Sequence, residues 1–254
     1  MVELYDPIAL AERVRKVVVK EEKRKYYRLC RGGRWYGGIA TADCVGCNLR
    51  CVFCWSNYPR DHPGKCGKFY SPEEVFSALD RLAKKRRYRL IRISGNEPTI
   101  GRKHLLALLE LVETAPYTFI LETNGILIGN DKSYARDLSK FSRLHVRVSL
   151  KGASNTEFSV LTGAEARAFD LQLEALKNLL DYGVECHPAV MLSFSSRESI
   201  EELVGRLADI DRSLVEELEE EYVFLYPHVV RRLKRAGLKP HTAYSPTRIP
   251  EELI

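Results

Sequence analysis

Three cysteines lie within eight residues of this sequence, at a C-x3-C-x2-C spacing: Cys47, Cys51 and Cys54. A loop with this spacing can present three thiolates to one metal centre. A 4Fe–4S cluster normally takes four cysteine ligands, so such a loop leaves one iron free for a ligand that is not protein. The alternative is a zinc site in which Cys44 is the fourth ligand. Four-cysteine zinc sites usually separate two C-x2-C pairs by a longer loop than the three residues here, so the spacing favours iron–sulfur.

The composition suits a protein of the cytoplasm. The chain has 254 residues, of which 45% are hydrophobic, enough for the core of one α/β barrel-like domain. Of its seven cysteines, four fall within eleven positions, which fits a reducing compartment and a metal site better than disulfides. There is no run of 18 apolar residues and no secretory pattern at the N-terminus. We therefore expect a cytoplasmic protein that does not bind a membrane.

Basic residues are concentrated in two places, and the net charge is +6. Residues 13–34 contain ten Lys and Arg, and residues 81–89 contain six. Patches of this kind can bind nucleic acid or an acidic protein. They also occur as solvated helix faces and at helix C-termini, where cations suit the helix dipole. The sequence favours this second interpretation and keeps RNA as a candidate partner.

From residue 37 onward, short apolar segments alternate with amphipathic helical segments. The pattern predicts strands at 90–94, 117–121, 144–150, 184–192 and 221–226, and helices at 104–113, 134–140, 166–182 and 200–210. A further helix begins after Ser71, which is followed by Pro72 and, at the third helical position, Glu74. About six βα units of this kind predict an α/β fold, a partial (β/α)6 barrel with a curved, mostly parallel sheet and outer helices.

The same pattern divides the chain into three segments. We expect residues 1–36 to form a basic helical N-terminal extension, residues 37–236 to form the barrel domain, and residues 237–254 to form a proline-containing C-terminal tail. In parallel sheets ligands bind at the carboxyl ends of the strands. The cysteine segment and the polar residues that follow the predicted strands should therefore meet at one end of the barrel.

The cysteine segment, with aromatic Phe53 before its last cysteine, resembles the signature of the radical S-adenosylmethionine (SAM) superfamily. After the predicted strand at 90–94, Gly95-Asn96-Glu97-Pro98 is similar to the Gly-Gly-Glu-Pro element of that superfamily, with Asn96 in place of the second glycine. The resemblance implies a radical SAM partial barrel that binds a 4Fe–4S cluster and SAM. It implies that the three cysteines hold three irons while SAM chelates the fourth.

The resemblance also implies a reaction and part of the cofactor site. Reductive cleavage of SAM gives methionine and a 5′-deoxyadenosyl radical, which takes a hydrogen atom from a substrate carbon. Phe53 is expected to flank the adenine, and the backbone of Gly95 and Asn96 is expected to bind the SAM amino group, with Glu97 in the same element. The protein would position the cofactor and exclude competing reactions.

Two further strand ends are similar to those of pyruvate formate-lyase activating enzymes. Glu122-Thr123-Asn124-Gly125 resembles their Asp-Thr-Asn-Gly, and Ser149-Leu150-Lys151 resembles their Asp-Leu-Lys. In those enzymes the two acids help to bind a cation beside the SAM carboxylate, but Ser149 replaces the second acid here. Arg147 lies on the same strand face as Ser149. We hypothesise that its guanidinium takes the place of the cation and binds the SAM carboxylate and Glu122.

Three later residues complete the expected cofactor site. Met191 falls on the predicted strand 184–192, one face of which could line the adenine pocket. Leu225-Tyr226-Pro227-His228 resembles the Leu-Pro-Tyr-His strand end of the activating enzymes, with two residues exchanged. This resemblance places Tyr226 and His228 near the mouth of the site.

Three functions follow from these comparisons of motifs. An activating enzyme would act on a glycine Cα–H of a protein substrate, with an electron donor such as ferredoxin or flavodoxin; a small-molecule substrate is the variant of this hypothesis. The segments Cys51–Trp55 and Glu97–Thr99 also resemble the wybutosine-forming tRNA enzymes, which would use the basic patches for RNA. A zinc-containing nucleic-acid-binding protein is the candidate from another class.

Overall fold

The computed structural model describes residues 3–251; residues 1, 2 and 252–254, at the outer ends of two predicted segments, lie outside the described residues. Within residues 3–251 the strands are β1 Val19–Lys20, β2 Lys23–Gly33, β3 Ile39–Cys44, β4 Lys68–Tyr70, β5 Leu90–Ser94, β6 Thr118–Thr123, β7 Leu144–Leu150, β8 Cys186–Met191, β9 Glu219–Glu221, β10 Val223–Phe224 and β11 Ala243–Tyr244. The helices of the same range are α1 Pro7–Val18, α2 Asn57–Asp61, α3 Pro72–Arg86, α4 Arg102–Glu113, α5 Ile126–Asn130, α6 Lys132–Leu138, α7 Asn155–Thr162, α8 Ala168–Asp181, α9 Arg197–Ile210, α10 Ser213–Glu216 and α11 Pro227–Arg235.

Six parallel strands form the centre of the molecule, in the order β3, β5, β6, β7, β8, β9. Strand β2 pairs antiparallel with β3 at one edge, and β1 and β4 pair with β2. One or more helices connect each parallel strand with the next. The predicted fold class is therefore confirmed: an α/β partial (β/α)6 barrel with a mostly parallel sheet and outer helices.

The sheet curves until its two edges approach each other. Tyr36 follows β2 at one edge, and its hydroxyl donates a hydrogen bond of 3.1 Å to Glu219 Oε2 on β9 at the other. The convex face is apolar and packs under the helices through residues such as Ile91, Phe119 and Val146. The concave face carries charged and polar side chains, so the interior of the barrel can hold a polar ligand.

The local sequence determines where helix α3, which follows the cysteine segment, begins. The Ser71 hydroxyl accepts from the Glu74 N–H at 3.3 Å, and the Glu74 carboxylate accepts from the Ser71 N–H at 2.7 Å. This capping box satisfies two backbone donors at the helix start. Val75 and Leu79 face inward and are fully buried. The predicted helix start is confirmed.

The first segment differs from the predicted basic helical extension. Of its described residues, Pro7–Val18 form an α-helix, whereas Lys23–Gly33 is a long strand of the main sheet. The basic residues of this segment suggested a solvated helix. Instead, β2 forms the backbone hydrogen bonds of one edge of β3, while the other edge of β3 pairs with β5. Arg24 is almost fully buried and donates to the Glu97 carbonyl at 3.2 Å, so part of this charge is structural.

The C-terminal part also differs from the prediction in detail. The last strand of the main sheet is Glu219–Glu221 rather than 221–226, and the following Val223–Phe224 pairs in parallel with Ala243–Tyr244. The predicted tail is thus attached to the barrel by a small second sheet, because β10 pairs with β11 of the tail and not with a strand of the main sheet. No helix between residues 3 and 251 is long and apolar enough to cross a membrane.

Candidate active site

A cavity opens at the carboxyl ends of the parallel strands, beside the cysteine segment. Fourteen of the sixteen residues predicted for the site line it: Cys47, Cys51, Phe53, Cys54, Gly95, Asn96, Glu97, Glu122, Thr123, Asn124, Arg147, Ser149, Lys151 and Met191. The other two, Tyr226 and His228, lie beside the cavity at the start of α11. Tyr226 packs against the cluster that contains Met191, and His228 Nε2–H donates to the Trp55 carbonyl at 2.9 Å.

The cysteine segment is an irregular loop held by distant parts of the chain. The Arg50 N–H donates to the Tyr5 hydroxyl at 2.8 Å, which brings in the N-terminal segment. Arg60, on helix α2, donates through Nη1 to the Cys51 carbonyl at 2.6 Å. The path of the loop is therefore fixed by its surroundings, and its thiols keep a defined position in the cavity wall.

The three thiols fit an iron–sulfur cluster. Burial raises the pKa of Cys51 to about 11, and burial, with Glu97 and Cys51 nearby, raises the pKa of Cys47 further above its usual range. Such thiols keep their protons until metal cations replace them. Three thiols on one cavity wall match three irons of a 4Fe–4S cluster. Cys44, which the zinc alternative needs, is buried in the core and does not line the cavity.

The glycine turn after β5 is tied directly to the cysteine loop. Gly95 has φ +93°, and a Cβ there would lie 3.0 Å from the Asp43 Cβ, so the turn requires glycine. The Asn96 side chain accepts from the Gly46 N–H at 2.8 Å and donates to the Ser56 carbonyl at 3.1 Å. These bonds join the turn to both ends of the loop that carries the cysteines.

Glu97 joins the same turn to the end of the next strand. It is 2% exposed and accepts hydrogen bonds from the Thr99 N–H, the Thr99 and Thr123 hydroxyls and the Asn124 N–H, at 2.6–3.2 Å. Asn124 Nδ2 in turn donates to Asn48 Oδ1 at 2.7 Å, beside the first cysteine. The Glu97 carboxylate thus has internal partners, and it supports the cavity wall.

The charged residues of the strands pair differently from the hypothesis above. Arg147 donates to Glu219 at 2.8 and 2.6 Å and to Glu221 at 3.0 Å. Glu122 pairs instead with Arg92 on the neighbouring strand. The hypothesised contact between Arg147 and Glu122 is therefore wrong. Arg147 is 7% exposed, and two carboxylates of β9 satisfy its donors more fully than one could.

Ser149 stands where the activating enzymes have an acidic residue, and Glu221 of β9 lies beside it. The Ser149 hydroxyl donates to Glu221 Oε2 at 2.6 Å, and the Lys151 ammonium contacts Ser149 Oγ and lies 3.7 Å from the same carboxylate. Burial would raise the pKa of Glu221, but Arg147 and Lys151 hold it below its usual value. The Lys151 ammonium is therefore held at the cavity wall by an ionised carboxylate.

Several residues that build this site are not predicted by the sequence motifs. Arg92 was visible as a single charge within the apolar strand Leu90–Ser94, which indicates a polar cavity on one strand face. Glu219 and Glu221 alternate along the sequence, but the predicted strand began only at residue 221. Nothing local marked Asn48 or Arg60, because their partners come from other elements.

The fold and the cavity define a barrel enzyme with a site for an iron–sulfur cluster. Residues 43–207, more than half of the chain, match the family model described as Radical SAM superfamily, and the chain belongs to this superfamily. Its cofactors are a 4Fe–4S cluster and SAM. The predicted family and cofactors are confirmed. The activating-enzyme subtype and the roles of single residues stay predictions.

Known proteins of several kinds are similar to the chain. It is 32% identical over 101 residues to a 7-carboxy-7-deazaguanine synthase of Koribacter versatilis, covering 39% of this chain and 42% of the relative. It is 28% identical over 171 residues to a probable GTP 3′,8-cyclase of Saccharolobus islandicus, covering 66% and 50%. The chain thus spans about half the length of these curated relatives. The structure of Streptococcus suis SuiB bound to S-adenosylmethionine aligns with a TM-score of 0.57 and 19% identity, over 82% of this chain and 46% of that one.

Proposed function

We propose that this protein cleaves SAM reductively and uses the resulting 5′-deoxyadenosyl radical to take a hydrogen atom from a substrate bound inside the barrel. The observation that carries the proposal is that Cys47, Cys51, Cys54, the glycine turn and Lys151 line one cavity. When bound, the cluster supplies the electron for this cleavage. The protein supplies the position of SAM, the exclusion of water and the substrate site.

The polar end of SAM has partners on two sides of the cavity. The tight turn at Gly95 lets main-chain groups approach a ligand closely, which suits the SAM amino group. Lys151 carries the ammonium that best suits the SAM carboxylate, since Arg147 is bound by two carboxylates at 2.6 and 3.0 Å, whereas Lys151 lies 3.7 Å from the carboxylate of Glu221. Ser149 and Glu221 orient Lys151. We therefore assign the hypothesised cation role to Lys151 and a supporting role to Arg147.

The apolar end of the cavity suits the adenine and the reactive carbon. The ring centroids of Phe53 and Phe194 lie 6.1 Å apart, with the rings tilted by 33°, and Met191 lies in the adjacent apolar cluster. Such side chains shield a radical from water and from solvent hydrogen atoms. Tyr226 and His228 support this wall from behind through α11.

Two substrate classes remain in the proposal. The resemblance to activating enzymes supports a glycine Cα–H in a partner protein. The names of the curated relatives, a deazaguanine synthase and a GTP cyclase, support a small heterocyclic substrate. The polar interior of the barrel, with Arg92, Glu122 and Arg147, favours the small substrate, because it offers hydrogen bonds within the barrel.

RNA is less well supported as a substrate than these two classes. The basic residues at 81–89 lie at the end of α3 that leads into the start of β5, whereas the cavity lies at the opposite end of that strand. They are solvated ends of a helix rather than a rim of the cavity. We propose a cytoplasmic enzyme that takes electrons from a ferredoxin or flavodoxin.

Anaerobic reconstitution with iron and sulfide tests the proposal. The protein should become brown and form 5′-deoxyadenosine from SAM with dithionite. Cys51→Ala should abolish both the colour and the product, whereas Cys30→Ala, outside the cavity on β2, should retain them. A colourless protein that binds one zinc ion and forms no 5′-deoxyadenosine would overturn the proposal.

A further inference from the structure

Helix α11 is strongly basic and lies against the cysteine loop. It carries His228, Arg231, Arg232, Lys234 and Arg235 and no acidic residue. Its buried side chains belong to a cluster that packs on Val52 and Phe53, within the loop itself. The helix is therefore part of the wall between the cysteines and solvent on this side.

Two side chains of α11 bond directly to the loop backbone. His228 Nε2–H donates to the Trp55 carbonyl at 2.9 Å, and Arg232 donates through Nη2 to the Cys54 carbonyl. Arg232 Nη1 is buried and has no hydrogen-bond partner within residues 3–251. A second guanidinium, that of Arg60, donates to the Cys51 carbonyl from α2. The last two cysteines thus lie next to positive charge that extends outward along α11.

The outer side of this region has the composition of a transient interface. Trp55 is 42% exposed and Tyr58 is 57% exposed, on either side of the start of α2. Arg231 and Arg235 are exposed on α11, and neither forms an ion pair in the described part of the chain. Aromatic residues and arginines are enriched at protein interfaces. We call Trp55, Tyr58, Arg231 and Arg235 the α11 surface.

We propose that the α11 surface docks an acidic one-electron donor protein that carries a reduced flavin or iron–sulfur centre. The inference rests on the proposed function, which requires one electron for each SAM cleaved. In the docked complex the donor is oxidised by one electron, and the centre at Cys47, Cys51 and Cys54 is reduced by that electron. Docking at α11 places the donor next to Cys54, since Arg232 contacts its carbonyl.

Charge complementarity selects the partner. Basic residues with no acidic neighbour on their helix attract an acidic protein and raise its association rate, an effect that salt screens. Electron-transfer encounters use small contact areas and are weak, which fits a few exposed aromatic and basic side chains. The carboxylate of Asp61, at the end of α2, already pairs with Arg50 and Arg60.

The test is stopped-flow reduction of the reconstituted protein by a photoreduced flavodoxin and by a reduced ferredoxin, at low and high salt. The variant is Arg231→Glu/Arg235→Glu, and the matched control is Lys85→Glu/Arg86→Glu at the exposed end of α3. We expect the second-order rate constant of the variant to fall about tenfold or more at low salt. It should differ little from the wild type at high salt, and the control should match the wild type throughout.

Dithionite separates this proposal from the proposed function. With dithionite, the α11 variant should form 5′-deoxyadenosine at the wild-type rate, because the small reductant does not need the surface. No reduction of the wild type by either donor, or an equal loss in the control variant, overturns the docking proposal. So does a variant that loses salt-dependent tRNA binding but keeps its donor rate. Absence of 5′-deoxyadenosine with dithionite in the wild type overturns both proposals.

Discussion

Replacing Glu97 with Gln should lower the free energy of unfolding, mainly because one buried hydrogen bond is lost. In the structure Glu97 Oε1 accepts from Thr99 and Thr123, and Oε2 accepts from the Asn124 N–H at 2.8 Å. The Gln carbonyl oxygen can keep the contacts of Oε1. Its amide group then faces the Asn124 N–H, donor against donor, within a region that is almost fully buried.

The magnitude follows from the lost acceptor. A buried hydrogen bond to a charged group contributes about 1.5–3 kcal/mol, so Glu97→Gln should lower the free energy of unfolding by about 2 kcal/mol. Urea unfolding of the metal-free protein, followed by circular dichroism, measures this change. Asn124 also holds Asn48 beside the first cysteine, so iron bound per chain after reconstitution should decrease as well.

The matched control is Glu110→Gln, on the exposed face of α4. It should leave the free energy of unfolding within about 0.5 kcal/mol of the wild type. If Glu97→Gln unfolds with the same midpoint and slope as this control and binds the same amount of iron, the network does not stabilise the site. The reasoning from hydrogen bonds would then be refuted.

Three further predictions concern pH, charge and backbone. Burial lowers the pKa of His104 to about 4, so as the pH falls below about 6.5 the unfolded chain binds a proton at this residue before the folded protein does. Between pH 7.5 and pH 5 the free energy of unfolding, measured in urea, should therefore decrease by about 2 kcal/mol more in the wild type than in His104→Gln. Arg147→Met leaves Glu219 and Glu221 without their shared cation, so the free energy of unfolding should fall by about 3 kcal/mol, measured in urea at pH 7.5; an unchanged midpoint would count against the ion-pair network. Gly95→Ala forces a side chain into φ +93°, and calorimetry on reconstituted protein should show SAM bound roughly tenfold more weakly; equal affinity would exclude close approach of SAM to this turn.

Much of the site was predictable because its signals are local. The cysteine spacing, the glycine turn and the polar residues after strands are read from short segments. A parallel barrel brings all carboxyl strand ends to one edge, so residues from Cys47 to Met191 had to meet once the alternation of strands and helices was recognised. The strands Leu90–Ser94 and Leu144–Leu150 were predictable as well, because their apolar residues must be covered by helices.

The sequence alone determined the class of chemistry: three thiols, a tight turn and a parallel barrel to position them. Only the tertiary structure decided how the charges pair. Alternation along a strand says which side chains face the barrel, but the register and the order of strands decide which acid meets which base. Strand β9 supplies Glu219 and Glu221 to Arg147, and Glu221 also holds Lys151 at the cavity wall. Likewise, β2 is a strand because it pairs with the edge of β3, and no local pattern in residues 23–33 indicates this pairing.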